Sequence, residues 1–173
     1  VPTPSLRPWQ PERDAGAVLA AFHASADLHR QAPPLETVDD ARRYLAAIAG
    51  EALAIALDDE AVGCVMAAER DARHGTAWMS YWLAPAARGA GLASRALDTL
   101  SRRLFAEGFH RLELGARANN PASIAVAERA GFVREGVERE RLRYVDGHGR
   151  AERFDVVRLA RLASDPAPSL PPL

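Results

Sequence analysis

An arginine and two glycines stand together in Arg88-Gly89-Ala90-Gly91-Leu92-Ala93, after an apolar run that stops at Pro85 and before a segment of helical periodicity. Glycines in such a turn let successive backbone N–H groups converge on one point, and a helix N-terminus adds roughly half a positive charge there. A nest of this kind holds a phosphate without any lysine. The same residues also make a plain strand-to-helix turn, and the stretch alone leaves both readings open. A dinucleotide-binding loop fits poorly, because the glycine spacing is wrong and no acidic residue ends a following parallel strand at the expected distance.

All 22 basic residues of the chain are arginine. The absence of lysine excludes Schiff-base chemistry, a lysine-anchored pyridoxal phosphate and the lysine-dependent P-loop. With 22 basic against 23 acidic residues the formal net charge is -1, so no global field favours nucleic acid or an anionic membrane. No apolar stretch approaches the length of a membrane span, and the start of the chain lacks a signal-peptide layout. A single cysteine, Cys64, has no internal partner and reads as a small buried strand residue rather than a nucleophile. These features predict a cytoplasmic protein with no bound metal.

The elements that must position the glycine turn follow from periodicity and caps. At 173 residues the chain is long enough for one domain, expected over 1–163, with "SDPAPSLPPL" (164–173) as a proline-rich tail that has little to bury and is mobile. "SLRPW" reads as an edge strand, since Pro8 cannot donate to a ladder. A helix is predicted from about Pro11 to Ala24, and "HRQAPPLE" breaks it. A second helix runs from an N-cap at Thr37 to Gly50. "ALAIAL" and "AVGCVMAA" flank "DDE" as a hairpin, and "AWMSYWL" is a further strand. Leu92, Ala96, Leu100 and Leu104 recur every four residues, an amphipathic helix to about Glu107. "RLELGA" is a strand, Asn120-Pro121 opens a helix closed by Gly131, and a final hairpin turns at "DGHG". The order β-α-α-β-β-β-α-β-α-β-β is an α/β fold with helices on both faces of a mixed, mostly antiparallel sheet.

Two motifs in this order resemble the GNAT N-acetyltransferase superfamily. Arg88, Gly91 and Ala93 match its Arg/Gln-x-x-Gly-x-Gly/Ala pyrophosphate loop, and "NPASIAVAERAGF" matches its Asn-x-x-Ser segment followed by Gly-Phe. With "YWLAP" before the loop and "REGVERER" after it, the chain resembles the branch of ribosomal-protein N-terminal acetyltransferases. The resemblance implies acetyl-CoA as cosubstrate, held by Leu83 and by Arg88, Gly89, Ala90, Gly91, Leu92 and Ala93. It also implies Asn120 and Ser123 near the coenzyme sulfur, with Arg129 and Arg95 as outer phosphate partners. Each has an ordinary alternative: an N-cap for Asn120, routine helix chemistry for Ser123, a solvated helix face for the two arginines.

The chemistry implied is direct transfer of an acetyl group to a primary amine. Backbone N–H at Leu83 is the expected oxyanion donor. Relatives use a tyrosine acid four residues before the glycine of Gly-Phe; here that residue is Ala127, so Ser123, or a water it holds, is expected to serve the thiolate. Glu113 is the expected general base, since it points away from Leu112 and Leu114 on its strand. Glu140, Glu138 and Glu69 are the further candidates. Asp27, His29 and Glu36 are available to meet a cationic amine. A peptide N-terminus and a small-molecule amine (polyamine, amino acid or antibiotic) both fit as acceptor, and a non-catalytic acyl-CoA-binding module and a homodimer stay open.

Overall fold

The computed structural model describes residues 2–30 and 34–173. Strand β1 (Pro4–Pro8) leads into α1 (Pro11–His23), a one-turn 3-10 helix (Leu28–Arg30) and α2 (Val38–Ile48). The chain then forms β2 (Ala52–Leu57), β3 (Glu60–Asp71) and β4 (Thr76–Leu83), a 3-10 turn (Pro85–Ala87) and α3 (Leu92–Ala106). Strand β5 (Arg111–Arg117), α4 (Pro121–Arg129), β6 (Val133–Val145) and β7 (Ala151–Leu162) complete it. This is the element order expected from the sequence. Residues 31–33 of the predicted helix break lie outside the described residues, as does the side chain of His29.

Local chemistry sets the boundaries. Thr37 and Asp40 form a reciprocal capping box at α2, which satisfies two orphan N–H groups, and these hydrogen bonds hold the Asp40 carboxyl below its usual range. Asn120 Oδ1 accepts from Ser123 N–H at 3.1 Å, with Pro121 next in line, and so starts α4. Gly91 caps α3 at φ +74, a conformation that suits glycine.

Among the described residues the strands form one sheet in the order β1-β2-β3-β4-β5-β7-β6, antiparallel except where β4 meets β5. Alternation along β4 serves two cores. Ala77, Met79 and Leu83 pack with α3 and α4, while Trp82 packs on the other face with Trp9 and Phe22 beneath α1 and α2. Asp98 and Arg161, both buried and 2.7 Å apart, tie α3 to β7, and Arg161 also donates to the carbonyl of Ala130 at the end of α4. Asp98 also pairs with Arg102 at 2.8 Å, so removing Asp98 is the costlier loss: it would leave the buried Arg161 guanidinium without a carboxylate.

The parallel β4–β5 pairing is brief. Thr76, Ala77 and Trp78 pair with Arg111, Leu112 and Glu113, yet β4 continues to Leu83 and β5 to Arg117. Beyond Trp78 the strands part and a wedge opens between them. Ala84 N–H donates to Val62 O on β3 at 2.8 Å. By alternation Leu83 and Tyr81 turn their N–H and C=O groups the other way, toward the wedge.

The C-terminal segment differs from expectation: it has contacts. Arg95 donates to the carbonyls of Pro171 and Pro172, Arg102 to that of Pro168, and Leu173 packs on the core while its N–H donates to Thr99. Proline carbonyls remain good acceptors although proline nitrogen cannot donate, and the arginines of α3 supply the donors.

Candidate functional site

Two cavities meet in the wedge. The first, about 380 Å³, runs from the end of β4 over the glycine turn to the start of α4. Its lining includes Leu83, Arg88, Gly89, Gly91, Leu92, Ala93, Asn120, Ser123 and Arg129. Of the turn residues, Ala90 is exposed and stands outside this lining. Gly89 and Gly91 have φ of +89 and +74, and a Cβ built on either meets nothing within 4 Å. The turn therefore borders open space at the N-terminus of α3, which is where an anion would sit. Arg88 folds back rather than out: Nε donates to Leu83 O at 3.2 Å and Nη2 to Ser25 Oγ at 3.2 Å. It braces the turn against the end of β4. Arg95 is committed to the C-terminal carbonyls and stands outside the cavity.

The second cavity, about 270 Å³, opens on the α1–α2 side. Tyr44, Trp78, Trp82 and Tyr144 give it an aromatic wall, with Arg117 at one edge. None of the described residues lining it is a carboxylate. Asp27 borders the first cavity and is held by Arg117 at 2.8 Å and Arg30 at 3.4 Å. Stacked rings and guanidinium groups (Arg117 over Tyr144 and Phe154, Arg30 over Tyr144) hold the edge of the opening together. Cys64 lines this chamber but is buried, which pushes its thiol up to about 12 and keeps it un-ionised at neutral pH.

Tyr81, Trp82, Asn120 and Ser123 line both cavities, so the two are adjacent compartments of one site. The sequence reading missed Tyr81. Its side chain leaves β4 toward α4, where Oη donates to Ser123 O at 2.6 Å and lies 3.0 Å from Ser123 Oγ. Burial pushes the phenol up to about 12, with the Ser123 bond acting in the opposite sense. The available signal was the "YWL" that ends β4, where an odd-numbered aromatic among buried residues must face α3 and α4.

Glu113 is not brought to the site. It does face away from Leu112 and Leu114, but it sits where β4 and β5 are still paired, opposite Trp78. Its carboxylate accepts from Arg111 Nε and Nη2 at 3.0 and 2.8 Å and lies 3.8 Å from Arg158. The wedge begins beyond it, at Gly115 and Arg117, so alternation picked the correct face at the wrong depth. Glu138 is taken by Arg141 and Arg158, both at 3.6 Å. Glu69 and Glu140 are exposed at strand irregularities with φ of +47 and +52, and Glu36 lies outside both linings. Among the described residues no group of His, Cys, Asp and Glu could hold a metal ion, and no helix is long and apolar enough to cross a membrane.

Residues 5–133 match the family model described as an acetyltransferase (GNAT) domain. The chain is 32% identical over 129 residues to YdaF of Bacillus subtilis (strain 168), whose name assigns it provisionally to the ribosomal N-acetyltransferases. That match covers 72% of this chain and 66% of YdaF. It is 34% identical over 80 residues to the ribosomal-protein-serine acetyltransferase of Escherichia coli (strain K12), covering 46% of this chain and 45% of that protein. The chain thus spans just under two thirds of the first relative and under half of the second. Among solved structures, Mycobacterium smegmatis RimJ in complex with CoA-disulfide superposes with a TM-score of 0.74 at 28% identity, covering 92% of this chain and 82% of that one. RimL, a ribosomal L7/L12 α-N-protein acetyltransferase in complex with coenzyme A, shares the fold with a TM-score of 0.78 at 23% identity, covering 92% and 94%.

Proposed function

The chain belongs to the GNAT acetyltransferase family, and from that premise we propose that it is an acetyl-CoA-dependent N-acetyltransferase acting on the α-amine of a protein N-terminus. The observation that carries the reading is the meeting of two unlike compartments at Ser123: an anion cradle on one side, and on the other an aromatic chamber with no carboxylate among its described lining residues. Relatives named for ribosomal-protein acetylation support the acceptor class.

In this reading the N–H groups of the Arg88–Ala93 turn, with the N-terminus of α3, hold the coenzyme pyrophosphate. The wedge-facing backbone of Tyr81 and Leu83 holds the pantetheine arm in the manner of an added strand. Leu83 N–H polarises the thioester carbonyl, a donor worth about 3 kcal/mol when well placed. Asn120 fixes the first turn of α4, and Ser123 faces the sulfur. Arg129 lies at the rim for an outer phosphate.

The chamber also discriminates among amines. The rings can meet one cation, but a polyamine or aminoglycoside would bring several charges to a chamber whose described lining offers no carboxylate and sets Arg117 at one edge, which is costly. An α-amine with pKa near 7.8 is about one third neutral at pH 7.5, whereas a lysine amine near 10.4 is about 0.1% neutral, a difference of roughly 250-fold. The α-amine therefore has least need of an enzymic base. The experiment is thiol release from acetyl-CoA across peptides with free α-amines, blocked α-amines plus lysine, polyamines and aminoglycosides. Turnover confined to free α-amines supports the proposal; faster turnover of a polyamine or aminoglycoside overturns it.

A further inference from the structure

Tyr81 touches Ser123 twice, and the chemistry above assigns its side chain no part. Oη lies 2.6 Å from the Ser123 carbonyl oxygen and 3.0 Å from Ser123 Oγ. A carbonyl oxygen has no proton to give, so the shorter contact uses the one proton of the phenol. The longer contact then has one sense: Ser123 Oγ–H donates to Tyr81 Oη. Ser123 N–H is occupied as well, donating to Asn120 Oδ1 at 3.1 Å. The serine hydroxyl is thereby held in one orientation at the boundary of the two cavities, which all three residues line.

From this geometry we infer that Tyr81 is a positioning residue for acetyl transfer, holding the Ser123 hydroxyl as a proton shuttle between the acceptor amine and the departing sulfur. The inference rests on the acetyltransferase reading above. The step balances without another reactant. The amine nitrogen bonds to the acetyl carbon, and the carbon–sulfur bond breaks with its electron pair going to sulfur. At rest the Ser123 proton points to Tyr81 Oη, which turns the Oγ lone pairs toward the cavity. As Oγ takes the surplus proton of the nitrogen, its own proton swings from Tyr81 Oη to the sulfur, and the hydroxyl ends as it began. Tyr81 keeps its proton on the Ser123 carbonyl throughout.

Two simpler arrangements fail. Tyr81 as the acid would pass a proton from a phenol held at about 12 to a thiolate whose parent thiol lies near 8.5, uphill by more than about a thousandfold. An unheld serine in the first turn of a helix turns its hydroxyl toward local backbone groups. The phenol oxygen gives that proton another acceptor and keeps Oγ at the cavity boundary.

The test is a double-mutant cycle in kcat, by thiol release at saturating peptide, over wild type, Tyr81→Phe, Ser123→Ala and the double variant. Tyr81→Phe is expected to lower kcat by ~10-fold with KM for acetyl-CoA within about twofold, and to cost less than about twofold when Ser123 is already alanine. Ser123→Thr keeps a hydroxyl and should restore sensitivity to Tyr81→Phe. A loss of helix placement alone would appear equally in both backgrounds, whatever the melting temperatures. Equal losses therefore overturn the inference, as does an unchanged kcat in Tyr81→Phe. A wild-type chain that releases no thiol with any α-amine overturns the proposed function beneath it, a result distinguishable from either.

Discussion

Gly91 offers the sharpest test of the anion cradle, because the structure separates backbone strain from occupation of the cradle. At φ +74 a residue with a Cβ is strained by about 1–2 kcal/mol, less for asparagine, which tolerates this region. Space is not the obstacle, since a Cβ there meets nothing within 4 Å. Gly108 supplies a matched control. It follows the other end of α3, has φ +98, and its Cβ would likewise meet nothing within 4 Å. Gly91→Asn and Gly108→Asn should therefore lose similar, small amounts of stability. Their effects on the coenzyme should differ. A side chain at Gly91 enters the space beside the N-terminus of α3 and displaces one or two charge-assisted hydrogen bonds, each worth about 1.5–3 kcal/mol. That corresponds to roughly 10²-fold or more in affinity. The assay compares kcat/KM for acetyl-CoA with that for acetyl-pantetheine, which lacks the pyrophosphate. Gly91→Asn should depress the first by ~10²-fold and the second by less than about threefold, while Gly108→Asn leaves both unchanged. Equal depression of both substrates by Gly91→Asn would mean that the turn shapes the site without binding phosphate, and would refute the cradle.

Ser123→Ala should lower kcat by ~10²-fold, in the range typical of lost proton transfer, while Glu113→Gln should stay within about twofold of wild type, both read by thiol release. Alkaline stability should begin to fall near pH 9. Cys64 ionises near 9 when unfolded and near 12 when folded, so its contribution is complete below pH 9 and falls by about 1.4 kcal/mol by pH 10. Cys64→Ala should move that onset toward pH 10, where Tyr44 and Tyr81, also raised to about 12, take over; urea midpoints against pH check this. At the acid end Asp14, buried, is penalised by desolvation, but its hydrogen bonds from Arg7 and Gln10 prevail and leave its carboxyl lowered. Its contribution is present above the ordinary carboxylate range and is lost as pH falls through the folded value, so Asp14→Asn should be less stable at pH 7 and flatter toward acid in thermal melts.

What could be read from the chain, and what could not, divides by range. Thr37, Gly91 and Asn120-Pro121 mark helix starts through contacts within a few residues, so element order and boundaries were legible. The turn at 88–93 was legible for the same reason, since glycine at positive φ before a helix is a local signal. The wedge was not, because β4 stops pairing with β5 beyond Trp78 and Glu113, a point that alternation along either strand does not mark. That one unseen distance misplaced Glu113. Alternation fixes a side of the sheet but not a depth along it, and Arg111 and Arg158 hold the carboxylate in the stretch that is still paired. The same distance hid Tyr81, whose partner Ser123 lies 42 residues away and becomes its neighbour only once α4 has docked. The C-terminal segment was misread for a related reason. Its proline content disfavours a helix or a ladder, but it says nothing about carbonyls offered to arginines on α3. The candidate site is thus half visible in sequence: the glycine turn at the start of α3 can be read, while the Tyr81–Ser123 contact across the wedge has to be seen folded.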